Sequence, residues 1–109
     1  MELNDEILKM VAERMRAMGD PMRLRLLSIL RERDATVGQL VEVLGTSQQN
    51  ISHHLLVLHD DGILRRRKDG RKVWYSLEDP TVSAVCDVVC DSVTRRALGF
   101  EAVATAGAA

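Results

Sequence analysis

Residues 36–77 carry an order of local signals that few folds accommodate. Thr36, with Gln39 three residues on, reads as a capping box opening a helix that Gly45 ends, and Thr46 with Gln49 reads as a second such start. Only Leu44, Gly45 and Thr46 are left to change direction. In the second helix Ile51, Leu55 and Leu58 share a stripe at helical spacing, predicted to face a core. Gly62 marks its end, and residues 63–68 and 71–77 then flank Asp69-Gly70, a strong hairpin signal.

Two helices joined by a tight turn and followed by a hairpin describe a winged helix-turn-helix, a mainly α fold with a small β-hairpin wing. The flanking sequence supplies three more helices. Asn4 caps the first. Gly19-Asp20-Pro21 is a stop, a cap and a first-turn proline opening a second helix through about Arg33, and Glu78-Asp79-Pro80 repeats the device before a last helix from Thr81 to about Leu98. The expected organisation is one domain over residues 1–98, five helices in all, with residues 99–109 a disordered tail that has little to bury. Ile7, Met10, Val11, Met15 and Met18 form an apolar stripe on the first helix, and Val82, Val85, Val88, Val89 and Val93 lie on the last. A small core leaves much of both uncovered, so a homodimer joined through the first and last helices is expected, with packing on the chain's own core as the alternative.

Beyond Ile51 and its stripe, the second helix of the pair presents Gln48, Gln49, Asn50, Ser52 and His53, polar side chains able to hydrogen-bond base edges in the major groove. Such residues also occur on any solvated helix. The wing distinguishes the two cases. Residues 62–75 hold six Lys/Arg and one acidic residue, +5 locally in a chain of net charge −1. A two-residue Asp69-Gly70 turn sets Lys68 opposite Arg71 and Arg67 opposite Lys72, and like charges so placed cost stability unless a polyanion neutralises them. The expected partner is therefore double-stranded DNA. A protein-docking winged module is the competing reading, and RNA a weaker one, because one Trp, one Tyr and one Phe offer few platforms for stacking bases.

Other classes find no support. No apolar run approaches the roughly 20 residues that span a bilayer, and the N-terminus lacks the basic-then-apolar order of a signal peptide, so a cytoplasmic protein with no membrane partner is expected. No phosphate loop or nucleophile–base set points to an enzyme. His53, His54 and His59 do not converge on one helical face, which argues against a metal site. His53 is expected at DNA and His54 in an inter-helix hydrogen bond. Cys86 and Cys90, expected as thiols, are four residues apart on the last helix and share a face. They fit a thiophilic metal or metalloid ion, a redox or sulfur species, or simple packing among valines.

Taken in order, Gly19-Asp20-Pro21-Met22-Arg23-Leu24, Gln49-Asn50-Ile51-Ser52-His53-His54-Leu55, Asp61-Gly62-Ile63-Leu64 and Gly70-Arg71-Lys72-Val73-Trp74-Tyr75-Ser76-Leu77 resemble the ArsR/SmtB family of bacterial transcriptional repressors, over about residues 5 to 97. The resemblance implies a homodimer that binds a palindromic operator and represses until an inducer changes its shape. It also implies base reading by Ser47, Gln48, Gln49, Ser52 and His53, and phosphate contacts from Arg66, Arg67, Lys68, Arg71 and Lys72. The chain departs from the family at the inducer sites. The stretch from Thr36 to Val43 has no Cys-x-Cys, and on the last helix Asp79 fits one ligand position of the zinc and cobalt sensors while Thr81, Ser92 and Arg95 stand at the others. Cys86 and Cys90 remain the candidate inducer-sensing and metal-ligating residues.

Overall fold

The computed structural model describes the backbone of residues 2–108 and the side chains of residues 2–99. Five helices, α1 (Asp5–Met18), α2 (Pro21–Leu30), α3 (Val37–Leu44), α4 (Gln48–Asp60) and α5 (Pro80–Ala108), surround three strands, β1 (Ala35–Thr36), β2 (Leu64–Asp69) and β3 (Lys72–Leu77). The antiparallel sheet has the order β1-β3-β2. The wing is thus a hairpin with a third, two-residue strand paired to it, a strand too short to leave a pattern in the sequence.

Local chemistry sets the helix ends. Asn4 accepts from the Ile7 amide at 2.9 Å, and Asp20 accepts from the amides of Met22 at 2.8 Å and Arg23 at 3.1 Å, with Pro21 in the first turn where its missing N–H costs nothing. Thr36 and Gln39 form the full capping box, and Gly45 ends α3 in the left-handed region at φ 64°. The start of α4 is one residue later than the sequence indicates. Ser47 is the cap, accepting from the Asn50 amide at 3.1 Å, while the Thr46 hydroxyl accepts from the Asn50 side chain instead. At its other end α4 closes with the Ile63 amide on the Leu58 carbonyl and the Gly62 amide on that of His59, a Schellman arrangement with Gly62 at φ 80°. Leu58 and Ile63, the apolar pair that accompanies this motif, are both fully buried.

Ile51, Leu55 and Leu58 face inward as their spacing predicts and join Leu26, Leu40 and Ile63 at the centre of the core, with Leu64 and Tyr75 bringing the root of the wing onto it. On α1 only Ala17 and Met18 are buried, and on α5 only Val82 among the valines. The outer stripes, Ile7, Met10, Val11 and Met15 on α1 and Val85, Val88, Val89 and Val93 on α5, remain exposed. Helix α5 runs through Gly99 without a break in its backbone, past the boundary expected after residue 98. No helix among the described residues is long and apolar enough to cross a membrane.

Candidate nucleic-acid interface and the helices behind it

Helices α3 and α4 meet through Gly45, Thr46 and Ser47, and the burial of Ile51, Leu55 and Leu58 fixes which side of α4 is left free. At 100° per residue Gln49, Ser52 and His53 fall on one stripe nearly opposite those three. Gln48, Gln49 and His53 are exposed and Ser52 half-buried. Ser47 and Asn50, also expected among the readers, are tied up locally. Ser47 spends its hydroxyl on the helix cap, and half-buried Asn50 donates to the Thr46 hydroxyl at 3.1 Å. His54 turns inward, where Arg23 on α2 donates to its Nδ1 at 3.1 Å. Since a guanidinium only donates, Nδ1 accepts and the ring proton sits on Nε2. Arg23 also holds the Ala17 carbonyl, which ties the end of α1 to α4 through one side chain.

The hairpin departs from the expected register. Asp69 pairs with Lys72, Lys68 with Val73, Arg67 with Trp74, Arg66 with Tyr75 and Arg65 with Ser76, so the turn residues are Gly70 and Arg71 rather than Asp69 and Gly70. An Asp-Gly turn of the I′ type needs two positive φ values. Here only Gly70 has one, at 61°, the pattern of a II′ turn with Gly first. The shift removes the predicted opposition of Lys68 to Arg71 and of Arg67 to Lys72. Each β2 cation instead faces an aromatic, apolar or hydroxyl side chain on β3, and the like-charge repulsion argued from the sequence is relieved within the fold.

Two of the cations are also paired. Arg65 meets Glu78 at 2.7 Å, while Arg67 lies 3.7 Å from Asp69 with its guanidinium carbon 5.8 Å from the centre of the Trp74 ring. Arg66, Lys68, Arg71 and Lys72 are exposed and make no ion pair among the described residues. Arg66 and Lys68 lie on the sheet face whose inner end, Leu64 and Tyr75, packs on the core. As the hairpin leaves the core, those two cations continue that face into solvent on the side of the helices.

Behind α4 lies an ion cluster that local patterning does not reveal. Arg14 of α1 reaches Asp61 at the end of α4 and Asp79 before α5, at 2.6 Å each, and also donates to the Asp61 carbonyl at 2.9 Å. Its position beside the α1 apolar stripe, one turn from Val11 and Met18, is the only sequence sign that it points inward. Asp79, the residue matching a metal-ligand position of the zinc sensors, is thereby committed to a protein cation. Its carboxyl is held below the ordinary value first by hydrogen bonds from Thr81 and then by Arg14. A second link joins α2 to α5, where Arg31 forms a two-pronged pair with Asp87.

Cys86 is half-buried and Cys90 exposed, both as free thiols. Burial pushes the Cys86 thiol above its ordinary value, Cys90 and Asp87 add to the effect and Arg31 opposes it. No group of three or more His, Cys, Asp or Glu side chains arranged to hold a metal occurs among the described residues.

Three carboxylates are held below 3.8. Asp20 is lowered by the Arg23 amide above all, Asp79 by Thr81, and Asp87 by Arg31. A depressed folded value contributes stability that is complete above the ordinary value and is lost as pH falls through the depressed one. Thermal unfolding is thus expected to be level in this respect from pH 7 to pH 5 and to fall steeply below about pH 4. Asp87→Asn should make that acid decline shallower, measured as the unfolding midpoint by circular dichroism across the range. An equally steep decline in the variant would remove Asp87 from the account.

Residues 20–66 match the family model described as bacterial regulatory protein, arsR family. A probable mercury resistance operon repressor of Streptomyces lividans is 43% identical over 68 residues, which cover 62% of this chain and 54% of that one. The HTH-type transcriptional regulator Rv0081 of Mycobacterium tuberculosis is 33% identical over 86 residues, 78% of this chain and 75% of that one. Its crystal structure superposes with a TM-score of 0.74 over 90% of this chain and 98% of that one, at 31% identity. HlyU of Vibrio cholerae superposes with a TM-score of 0.71 at 29% identity, over 79% of this chain and 94% of that one. These relatives are transcriptional regulators and not enzymes, and the chain belongs to the arsR family of bacterial regulatory proteins.

Proposed function

We propose that the protein is a homodimeric transcriptional repressor that reads a palindromic operator in double-stranded DNA with α4 and holds its phosphates with the wing. The observation that carries the reading is the stripe of exposed Gln49 and His53 with half-buried Ser52 beside a hairpin bearing four cations that have no acidic partner among the described residues. Gln48 extends the stripe at the helix start. Ser47 and Asn50 support it from within the turn. The exposed apolar stripes of α1 and α5 supply the dimer seam, and a twofold axis there offers two reading helices to half-sites about one DNA turn apart. The S. lividans relative is described as a probable repressor and HlyU of V. cholerae as a transcriptional activator; repression is the direction proposed here, after the relative that is 43% identical.

Release is assigned to Cys86 and Cys90. A raised Cys86 thiol is a poor redox nucleophile, whereas a thiophilic metal or metalloid ion displaces the thiol proton and binds the thiolate. The mercury resistance operon of the S. lividans relative agrees with that class of inducer.

The test is the salt dependence of duplex binding, since neutralising several phosphates makes affinity fall steeply with salt. A flat dependence would leave the protein-docking alternative. Gln49→Ala and His53→Ala are each expected to cost about 1–3 kcal/mol of discrimination between operator and random duplex, with little change on the random one. Equal losses on both duplexes in a gel-shift competition would make these residues phosphate contacts instead of readers.

A further inference from the structure

The end of α1, the turn after it, Leu24 of α2 and the first half of α5 line a half-open cavity of 240 Å³, whose wall includes Met15, Val85 and Val89 of the exposed α1 and α5 stripes. Met15, Met18, Cys86 and Cys90 line it, with Leu24 and Val89 among the apolar remainder. Four of the chain's seven sulfur-bearing residues, two Cys and five Met in all, therefore gather at one small cavity. None of its lining side chains carries an oxygen or a nitrogen. Cys86 and Cys90 lie one helical turn apart, their Cβ atoms about 5–6 Å from each other, so both sulfurs come within reach of one ion about 2.3 Å from each.

Such a donor set discriminates between metals. Hard cations take oxygen, which no lining side chain offers, and zinc, although it accepts thiolates, gains little from thioethers. Thioethers are neutral and soft, and they add to thiolates most effectively around a soft cation of low charge. We propose that Met15, Met18, Cys86 and Cys90 form an all-sulfur site for a monovalent soft cation, copper(I). The ion displaces the thiol protons to solvent, with no change in its oxidation state, and the two thioethers complete its coordination. This deepens the assignment of Cys86 and Cys90 as the inducer site and rests on it. Occupation would draw the end of α1 towards α5, the two helices that carry the exposed apolar stripes.

The experiment titrates the reduced full-length protein with silver(I), a redox-inert stand-in for copper(I), and separately with mercury(II), against a competing chelator. DNA release is followed in parallel by fluorescence anisotropy. The wild type is expected to bind one silver(I) per protomer. Met15→Leu is expected to weaken silver(I) binding at least tenfold and to leave mercury(II), which two thiolates satisfy, unchanged. Met15 belongs to the α1 stripe proposed as the dimer seam, where leucine keeps an apolar side chain of similar volume, and sedimentation should show the variant in the wild-type oligomeric state; Met18→Leu, at a buried position, also conserves volume and should act in the same direction. X-ray absorption of the copper(I) form should show a shell of at least three sulfurs. If both Met variants bind silver(I) as the wild type does, or if the wild type binds none, the all-sulfur site is overturned. Mercury(II)-driven release that is lost in Cys86→Ser with Cys90→Ser would then leave the inducer assignment standing. If that double variant still releases DNA with either ion as the wild type does, both readings fall.

Discussion

Replacing Arg66, Lys68, Arg71 and Lys72 together by alanine is expected to lower affinity for operator and for random duplex alike, by at least about a hundredfold near physiological salt. The salt slope should fall by about four per protomer. The magnitude follows from counterion release. Each cation that neutralises a phosphate contributes close to one unit to the slope of log affinity against log salt, and these four are exposed and make no ion pair among the described residues. Arg65 and Arg67 are not in the set. Arg65 is held by Glu78, and Arg67 by Asp69 and the Trp74 ring, so Arg67→Ala alone should have a smaller effect than Arg66→Ala, where six equivalent cations would give equal effects. Filter binding from 50 to 400 mM salt reads all of these quantities. A quadruple variant with an unchanged slope would show that the wing does not touch phosphate and that its charge only keeps the hairpin solvated.

That distinction among the cations is where sequence and structure part. The composition of residues 62–75 made the local excess of positive charge plain. Which cations remain free depends on register, and a one-residue slip changes every pair across the hairpin. The Asp-Gly signal is local, whereas the observed register is also held by β1, which sets Ala35 against Tyr75 and lets Tyr75 and Leu64 bury together. The same contest appears at the start of α4. Thr46 and Ser47 are both competent caps, and the choice of Ser47 leaves Thr46 to accept from the Asn50 side chain, a bond no spacing rule anticipates. At Asp20, Thr36 and Gly45 a single strong capping residue stands at the boundary, and there the local reading and the structure agree.

The links between elements were the least legible part. Arg14 meets partners 47 and 65 residues away, and Arg31 meets Asp87 across 56, separations at which sequence pattern carries no information about pairing. Yet these contacts decide how α5, which carries Cys86 and Cys90, is attached to α2 and to the end of α4. Arg14 joins α1, the end of α4 and the start of α5 in one cluster, and Arg31 fastens α5 to α2 immediately beside Cys86. A ligand that shifts α5 against α1 therefore pulls on side chains that also hold the C-terminal end of α4. The sequence named the proposed reader and the sulfur pair, and the contacts that link their helices come only from the fold.

The reading helix can work only if its buried face holds, and the largest expected change in stability comes from Leu55→Ala. Leu55 is fully buried between Ile51 and Leu58, in the same cluster as Leu26, Leu40 and Ile63 from three other parts of the chain. Those neighbours are themselves fully buried, so little can collapse into the space left. Truncation loses both the transfer free energy of the side chain and the packing around the void, about 3 kcal/mol within the usual 2–5 range. In a domain of this size that lowers the thermal midpoint by more than about 10 °C. Leu56, the next residue, is rotated by about 100° and is 52% exposed. Leu56→Ala should move stability by no more than about 0.5 kcal/mol. The pair makes a test of helical phase in which residue type and position are nearly the same. Both variants should be melted at one protein concentration, because an associating chain gains stability from its partner. If the two alanines proved equally costly, Leu56 would be buried in the molecule as it exists in solution, and the exposed stripe assigned to DNA reading would be covered by protein instead.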